Sequence, residues 1–218
     1  MKYGFVHLGL AVLLAGCSQM VMAGESVSIS IGDQSGMFGI IDVGSKEFLN
    51  QMLRHEAKYG RISRIESLIQ QGADVNGRAE YGETALYYSI LFGRVKASLR
   101  LIELGADPNT TDDMDRTPLL KAADDCNYRI VEALLKVGAN ANHADYYGRT
   151  PLINAVESNC VRAVAVILSN AKGNVDLDAH DNSYRTATDY ARHPWIEKML
   201  EIAHGRIGDY AKLLEITQ

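Results

Sequence analysis

The stretch "TPLLKAADDCNYRIVEALLKVGANAN", residues 117–142, contains the signals that decide the fold. Thr117 is a favoured N-cap residue, and Pro118 follows at the first helical position, where the missing N–H of proline costs no hydrogen bond. Apolar residues then recur at helical spacing over residues 130–135, which predicts a second helix with one buried face. Gly138 follows that helix, where a left-handed residue ends a helix at low cost. The stretch therefore predicts a helix–turn–helix unit.

The same unit recurs along the chain with a period of 33 residues. The threonine that starts a unit and the glycine that ends it both follow this period: Thr84, Thr117 and Thr150; Gly72, Gly105 and Gly138. One helix pair cannot bury its own apolar face, so successive units must stack to make a core. The period therefore predicts a solenoid.

The motifs at these positions resemble those of ankyrin repeats. "TPLLKAA" and "TPLINAV" match the first helix of the family, and "GADVN", "GADPN" and "GANAN" match the turn after the second helix. The resemblance runs from Phe48 to about Leu200 and implies an all-α ankyrin-repeat solenoid of about five helix–turn–helix repeats, with capping repeats at both ends. We place the repeats near residues 48–80, 81–113, 114–146, 147–182 and 183–218.

Three details depart from a regular array. The fourth unit carries three extra residues, which we expect within residues 169–173, and the truncated last unit is expected to close with a helix at "DYAKLLEI", residues 209–216. The histidine that the family usually has after "TPL" is absent, which puts its hydrogen bonds between repeats in doubt. Its place is taken by Arg54, Tyr87, Leu120, Ile153 and Asp189.

The N-terminal residues predict export and lipid attachment. The apolar run over residues 6–15 is too short to span a bilayer and has the length of a signal-peptide core. Residues 14–17, "LAGC", resemble the lipobox of bacterial lipoproteins, which implies cleavage before Cys17 and its acylation; several acyl chains give durable anchoring. Ser18 follows, and in that family's sorting rule it favours the outer membrane, facing the periplasm. A plain signal peptide with a chance cysteine is the alternative.

These boundaries divide the chain into three parts. Residues 1–16 are assigned to the signal peptide, 17–46 to the lipidated cysteine and a flexible tether, and 47–218 to the ankyrin-repeat domain. Within the tether, residues 24–46 are rich in Gly and Ser with few charges and no helical period, which favours a flexible chain. The alternative is that "VSISIG" pairs as a short strand.

Composition and motifs argue against several functions. The formal charge of −5 and the lack of a basic stripe argue against nucleic acid as a partner. We find no catalytic-serine, phosphate-loop or dinucleotide motif, and we predict no enzymatic activity and no cofactor. His143 and His180 fall on neighbouring loops, where solvated side chains are favoured over a shared metal ion. We therefore predict a binding protein without a metal site.

Two cysteines remain once Cys17 is assigned to lipid. Cys126 and Cys160 occupy equivalent inter-helix turns of successive repeats, offset by one position. In an oxidising compartment such a pair suggests a disulfide, provided that the offset brings the two Cα atoms within about 7 Å. The alternative is two buried thiols.

The ankyrin resemblance implies that a partner binds the fingers between repeats and the exposed face of the first helices. Aromatic side chains among carboxylates suit a basic protein partner, although tyrosine and aspartate also simply favour turns. The residues that we expect to bind a partner are Tyr81, Tyr88, Phe92, Asp112, Asp113, Met114, Asp115, Asp124, Asp125, Tyr146, Tyr147, Asn154, Glu157 and Tyr184.

The combination of lipobox and ankyrin repeats also resembles periplasmic immunity lipoproteins that protect against type VI secretion lipase effectors. That resemblance implies a protein that binds and inhibits a secreted phospholipase beside the membrane. The alternative is a periplasmic ankyrin scaffold that supports envelope assembly or defence against oxidative stress.

Overall fold

The computed structural model describes residues 19–23, 26–32, 38–43, 45–170 and 174–205, with side chains placed from Ser45 onward and not for Asn170. The predicted signal peptide, the lipidation site Cys17 and the predicted closing helix at 209–216 lie outside the described residues. So do residues 171–173 of the expected insertion in the fourth unit.

The segment that we predicted to be a flexible tether contains strands instead. β1 (Gln19–Ala23), β2 (Ser26–Gly32) and β3 (Phe38–Val43) form an antiparallel sheet in that order. The Gly and Ser content of the segment favours a flexible chain, whereas its two-residue period favours a strand. Serine alternating with β-branched residues in "SVSISIG" is a strand pattern, and the alternative reading of that stretch is the correct one.

Ten helices follow the sheet in the described part of the chain, and they form five antiparallel pairs. The first helices of the pairs are α1 (Lys46–Tyr59), α3 (Ala85–Leu91), α5 (Pro118–Asp124), α7 (Pro151–Glu157) and α9 (Ala187–Tyr190). The second helices are α2 (Ile62–Gln70), α4 (Val95–Glu103), α6 (Tyr128–Lys136), α8 (Val161–Asn170) and α10 (Pro194–Ala203). The predicted ankyrin-type solenoid of about five repeats is therefore confirmed.

The core is a stack of equivalent leucines and isoleucines. First helices pack against first helices and second helices against second helices in neighbouring repeats. The buried positions recur at the period of the sequence: Leu86, Leu119 and Leu152 in the first helices; Leu101, Leu134 and Ile167 in the second. Each repeat buries its face only against its neighbours, as the period required.

The first helices begin where the sequence predicted. The side-chain oxygens of Thr84, Thr117 and Thr150 accept hydrogen bonds from the backbone N–H groups three residues later, each at 3.3 Å. Pro118 and Pro151 occupy the first turn. These caps satisfy amides that the helix itself leaves free.

In the first four repeats, the turn between the two helices contains one residue in the left-handed region. Gly60, Gly93, Cys126 and Asn159 occupy this position, with φ of 72°, 66°, 57° and 57°. Glycine adopts this conformation freely and asparagine tolerates it, whereas it is strained for cysteine. Cys126 therefore stands at a position that the fold reserves for glycine or asparagine.

Asparagine side chains link each repeat to the next at the far ends of the second helices. The Oδ1 atoms of Asn76, Asn109 and Asn142 accept hydrogen bonds from the backbone N–H groups of Asp107, Asn140 and Asp176, at 2.8, 2.8 and 2.9 Å. These residues are the last letters of the "GADVN" motifs. The motif therefore ends the helix through its glycine and joins the repeats through its asparagine.

The last unit differs from the prediction, because its second helix is α10 and it is complete. Pro194 opens this helix, and His193 accepts a hydrogen bond from the backbone N–H of Trp195 at 3.2 Å. The buried face of α10 consists of Ile196, Met199, Leu200 and Ile202. Among the residues that replace the usual histidine, Arg54 donates to the carbonyl of Gly77 at 3.3 Å, a bond that lies within the first repeat.

Candidate binding surface

The fingers between repeats are tight turns closed by an aspartate. Asp112 Oδ1 accepts hydrogen bonds from the backbone N–H groups of Met114 and Arg116, both at 2.9 Å. The same two bonds recur at Asp145 and Asp181, at 2.8–3.0 Å. We term these turns the finger edge, together with the equivalent turn between the first and second repeats. The finger edge consists of residues 79–83, 112–116, 145–149 and 181–185.

Backbone hydrogen bonds join successive fingers into one ladder. The N–H of Asp113 donates to the carbonyl of Tyr81 at 2.9 Å, and the N–H of Tyr146 donates to the carbonyl of Met114 at 3.0 Å. The N–H of Asn182 donates to the carbonyl of Tyr147 at 2.9 Å. The finger edge is thus a continuous surface on which neighbouring side chains have fixed relative positions.

Four tyrosines project from this edge. Tyr81, Tyr146, Tyr147 and Tyr184 are 59%, 65%, 52% and 83% exposed. The rings of Tyr146 and Tyr147 pack edge to face, with centroids 5.5 Å apart. Exposed aromatic rings in series are unfavourable in water unless a partner covers them, and they match the predicted hot-spot residues.

The acidic residues of the finger edge are divided between structure and surface. Asp112, which we expected to contact a partner, is instead 4% exposed and forms an ion pair with Arg116 at 2.7 Å. Its carboxylate is needed to close the finger. Asp113 and Asp115 are exposed, and within the described residues no cation lies within 4.0 Å of their carboxylates. They are the carboxylates of this finger that can meet a basic partner.

Asp181 is used inside the last finger. Its Oδ2 accepts a hydrogen bond from the hydroxyl of Tyr190 at 2.5 Å, and this bond lowers the pKa of Asp181 to about 2. Burial opposes the shift, and backbone N–H groups of Ser183 and Arg185 add to it. The carboxylate therefore stays ionised in acid and keeps the finger closed.

The first-helix face contributes a mixed surface. Tyr88, Lys121 and Asn154 stand at equivalent positions and are each half-buried. Burial alone would lower the pKa of Lys121, but its ammonium donates hydrogen bonds to Asp125 and Asp124, and the net effect raises that pKa. This cation neutralises two carboxylates that we expected to attract a partner.

Of three further predicted residues, Glu157 contacts a finger residue, whereas Phe92 and Asp125 lie apart from the fingers. Glu157 pairs with Arg149 at 2.8 Å, so its charge is also neutralised within the chain. Phe92 and Asp125 are the C-cap residues of α3 and α5, at the turn between the two helices of a repeat. The structure therefore brings the four tyrosines, Met114, Asp113 and Asp115 together and places Phe92 and Asp125 at the opposite end of the helices.

A disulfide joins two repeats at that opposite end. Cys126 and Cys160 are bonded, with Cα atoms 4.9 Å apart and a sequence separation of 34. The left-handed conformation of Cys126 and the one-residue offset of Cys160 bring the two backbones within disulfide range. The bond connects the turns of the third and fourth repeats.

The two histidines of neighbouring loops have separate partners. His143 Nε2 lies 2.8 Å from the carbonyl of Asp115, and His180 Nδ1 lies 3.3 Å from the carbonyl of Asp181. In the part of the chain that the structure describes, no group of three His, Cys, Asp or Glu side chains is arranged to hold a metal ion. No helix in the same residues is long and apolar enough to cross a bilayer.

The stacked helix pairs, with fingers joined by backbone hydrogen bonds, define a repeat protein with an extended exposed edge that a partner can bind. Residues 100–181 match the family model described as ankyrin repeats (3 copies), and residues 55–102 match the one described as ankyrin repeats (many copies). Together these matches span more than half of the chain, which belongs to the ankyrin-repeat family. Ankyrin repeats are protein–protein interaction scaffolds and are typically non-enzymatic. No curated protein gives a significant match to the chain.

Proposed function

We propose that this chain is a periplasmic immunity protein, anchored by lipid at Cys17 to the outer membrane. In this role its finger edge binds a secreted antibacterial effector, such as a type VI phospholipase, and blocks it beside the membrane. The observation that carries the proposal is the set of four exposed tyrosines on three of the four fingers.

The finger edge has the properties of a binding hot spot. Tyrosine gains free energy when its ring is buried and keeps a hydroxyl for hydrogen bonding, so it is enriched at interface centres. The backbone ladder fixes the backbone from which the rings project, and a binding surface whose backbone is ordered in advance lowers the entropy cost of association. Exposed carboxylates at Asp113 and Asp115 favour a basic surface on the effector.

Two further observations support the proposed location. Residues 14–17 resemble a lipobox, and an acylated cysteine would hold the solenoid close to the membrane that a phospholipase attacks. Cys126 and Cys160 are close enough to be bonded, and disulfides persist in oxidising compartments such as the periplasm.

Binding is tested with the purified mature lipoprotein and a phospholipase effector encoded beside its gene. Tyr81→Ala with Tyr147→Ala should raise the Kd at least tenfold, as measured by calorimetry, because two buried rings are lost. Tyr59→Ala with Trp195→Ala is the matched control, since these rings are 47% and 50% exposed but lie away from the fingers. An unchanged Kd in the finger variant would refute the binding surface.

Protection is tested in cells that receive the effector. Deleting the gene should make them sensitive, and restoring the natural chain should make them resistant. Cys17→Ala, which removes the acylated sulfur, should abolish membrane fractionation of the protein and reduce protection. Full resistance of the deletion strain to every co-encoded effector would exclude an immunity role and leave the envelope scaffold.

A further inference from the structure

A second edge of the solenoid carries a repeated row of cations. The second residue of each second helix falls at the 33-residue period, and in α4, α6 and α8 it is Lys96, Arg129 and Arg162. The equivalent residue of α10 is Trp195. With the inter-helix turns, these residues make up what we term the turn edge: residues 58–63, 91–96, 125–129, 158–162 and 192–195.

The cations of this row face solvent without acidic partners. Arg94, Lys96, Arg129 and Arg162 are all exposed. Across the described residues, no carboxylate lies within 4.0 Å of any of these four side chains. Most other cations of the solenoid are paired, including Arg116, which pairs with Asp112 at 2.7 Å. The expectation from composition that the chain has no basic stripe is therefore wrong, because the fold collects on one edge cations that the sequence spreads over three repeats.

The position of these cations does not help the helices that carry them. The N-terminal end of a helix bears a partial positive charge, which favours acidic residues and disfavours basic ones. The first turns of α2, α4, α6 and α8 contain no acidic residue. A serial placement of cations against the helix dipole indicates selection for something other than stability. The two positive contributions add at this edge.

Aromatic rings lie among the cations and connect neighbouring repeats. Lys58 Nζ lies 4.7 Å from the ring centre of Phe92 in the next repeat. The guanidinium of Arg162 lies 5.4 Å from the ring of Tyr128 in the preceding repeat. Trp195 is half exposed at the end of the row. Tryptophan and tyrosine beside basic residues suit the headgroup region of a bilayer.

We propose that the turn edge docks on a membrane surface rich in anionic phospholipid. The proposal rests on the membrane location in the proposed function, and it follows from charge complementarity between the cation row and lipid phosphates. Each surface cation near an anionic leaflet strengthens adsorption, and the effect is screened by salt. Docking by this edge directs the finger edge away from the bilayer, where a soluble effector approaches.

Nucleic acid is the less favoured occupant of the same row. The chain carries a formal charge of −5, and the finger edge presents Asp113 and Asp115 to solvent. A polyanion long enough to reach beyond the turn edge would be repelled by the rest of the molecule. A membrane surface contacts one edge only.

The test compares the two edges of the full lipoprotein by hydrogen exchange. Vesicles of phosphatidylcholine alone are compared with vesicles that also contain phosphatidylglycerol. Amides of the turn edge should be protected at least fivefold more in the phosphatidylglycerol vesicles, and high salt should remove the difference. Finger-edge amides should exchange equally in both. Equal exchange of the turn edge in the two vesicles would overturn the proposal.

Charge-matched variants distinguish binding by the turn edge from an effect of the net charge of the protein. Lys96→Gln, Arg129→Gln and Arg162→Gln together should remove the added protection. Three equivalent changes elsewhere, at Lys46, Arg78 and Lys136, give the same net charge and should leave the protection intact. An equal loss in both triple variants would refute a specific edge, and protection by single-stranded DNA but not by lipid would reassign it to nucleic acid.

The outcome is independent of the effector-binding test. Mass spectrometry shows whether Cys17 carries acyl chains; a chain without them refutes the anchor, while added vesicles still test the turn edge. The Tyr81→Ala, Tyr147→Ala variant leaves the turn edge unchanged and should retain lipid protection even where it no longer binds an effector.

Discussion

The two edges of the solenoid lie at opposite ends of the same helices and are built differently. The finger edge is held by carboxylates that accept backbone hydrogen bonds, and tyrosines project from it. The turn edge is formed by single left-handed residues, and cations and aromatic rings project from it. Each edge therefore has repeated positions that the backbone constrains and others that it leaves free. In the fingers the constrained positions also include a left-handed one, at Gly82, Asp115, Gly148 and Tyr184.

The side chains at the positions that the backbone leaves free can determine which partner each edge binds. Asp112 cannot be exchanged without opening a finger, whereas the adjacent Asp113 makes no bond with its carboxylate that the fold needs. On the turn edge, the left-handed position tolerates few residue types, whereas Lys96, three residues after Gly93, is exposed and unconstrained. In this repeat protein, one residue therefore maintains the fold while a residue next to it in sequence is free to recognise a partner.

The largest expected effect comes from the covalent bond on the turn edge. Replacing both Cys126 and Cys160 with serine should lower the free energy of unfolding by about 3 kcal/mol, because the bond closes a 34-residue loop in the unfolded chain. Urea unfolding measures the difference. Under reducing conditions the natural protein should have the same free energy of unfolding as the variant. A urea midpoint of the natural protein that does not change when reductant is added would contradict the prediction.

The second-largest effect on stability is expected from replacing the buried carboxylate of the finger edge. Asp112→Ala should cost about 2–3 kcal/mol, because two backbone N–H groups and Arg116 lose their acceptor. The adjacent exposed Asp113→Ala should change stability by less than about 0.5 kcal/mol. Urea titration of both variants checks this contrast, which fails if the two costs are similar.

Opposite ends of the second helices should give smaller effects of opposite sign. Lys96→Glu removes a cation from the first turn of α4 and should stabilise the fold by about 0.3–1 kcal/mol. Lys136→Glu makes the same change in the last turn of α6, where Lys136 also pairs with Glu132, and should destabilise it by a similar amount. Thermal unfolding at low salt measures both, and shifts of the same sign would reject the dipole argument.

The last expected effect concerns the acid stability of the last finger. The pKa of Asp181 is about 2, below its ordinary value of 3.8, so its ionised form contributes stability above pH 3.8 that is lost as the pH falls towards 2. Tyr190→Phe removes the main hydrogen bond and should move this pKa back towards 3.8. Carboxyl titration by NMR measures the shift.

Tyr128→Phe is the control for that titration. It removes a hydroxyl on the turn edge that accepts a hydrogen bond from Arg129 at 3.3 Å, and no carboxylate depends on it. The pKa of Asp181 should be unaffected. An equal change in both variants would show that the shift does not come from Tyr190.

The helices and their order could be predicted from sequence because their signals are local. Thr117 and Pro118 start a helix by their own chemistry, and Gly138 ends one. The 33-residue period then supplies the stacking without any further information. The exposed tyrosines followed from the same register.

The sites that sequence reasoning placed wrongly depend on three-dimensional details. Phe92 and Asp125 follow first helices of only seven residues, so they fall at the turn rather than on the exposed face. The burial of Asp112 requires knowledge of the finger turn. Predicting the cation row from sequence requires knowing which basic residues lack acidic neighbours in the fold. The 33-residue spacing of Lys96, Arg129 and Arg162 is nevertheless visible in the sequence.

The bond between Cys126 and Cys160 also has a mechanical consequence. A chain that unravels under tension lengthens by roughly 3.4 Å for each residue released, so a closed loop of 34 residues withholds about 110–120 Å of extension. A tensile force along the backbone would pass through the two sulfur atoms and bypass residues 127–159, which include the second helix of the third repeat and the first helix of the fourth. These residues are the section of the solenoid that pulling cannot extend.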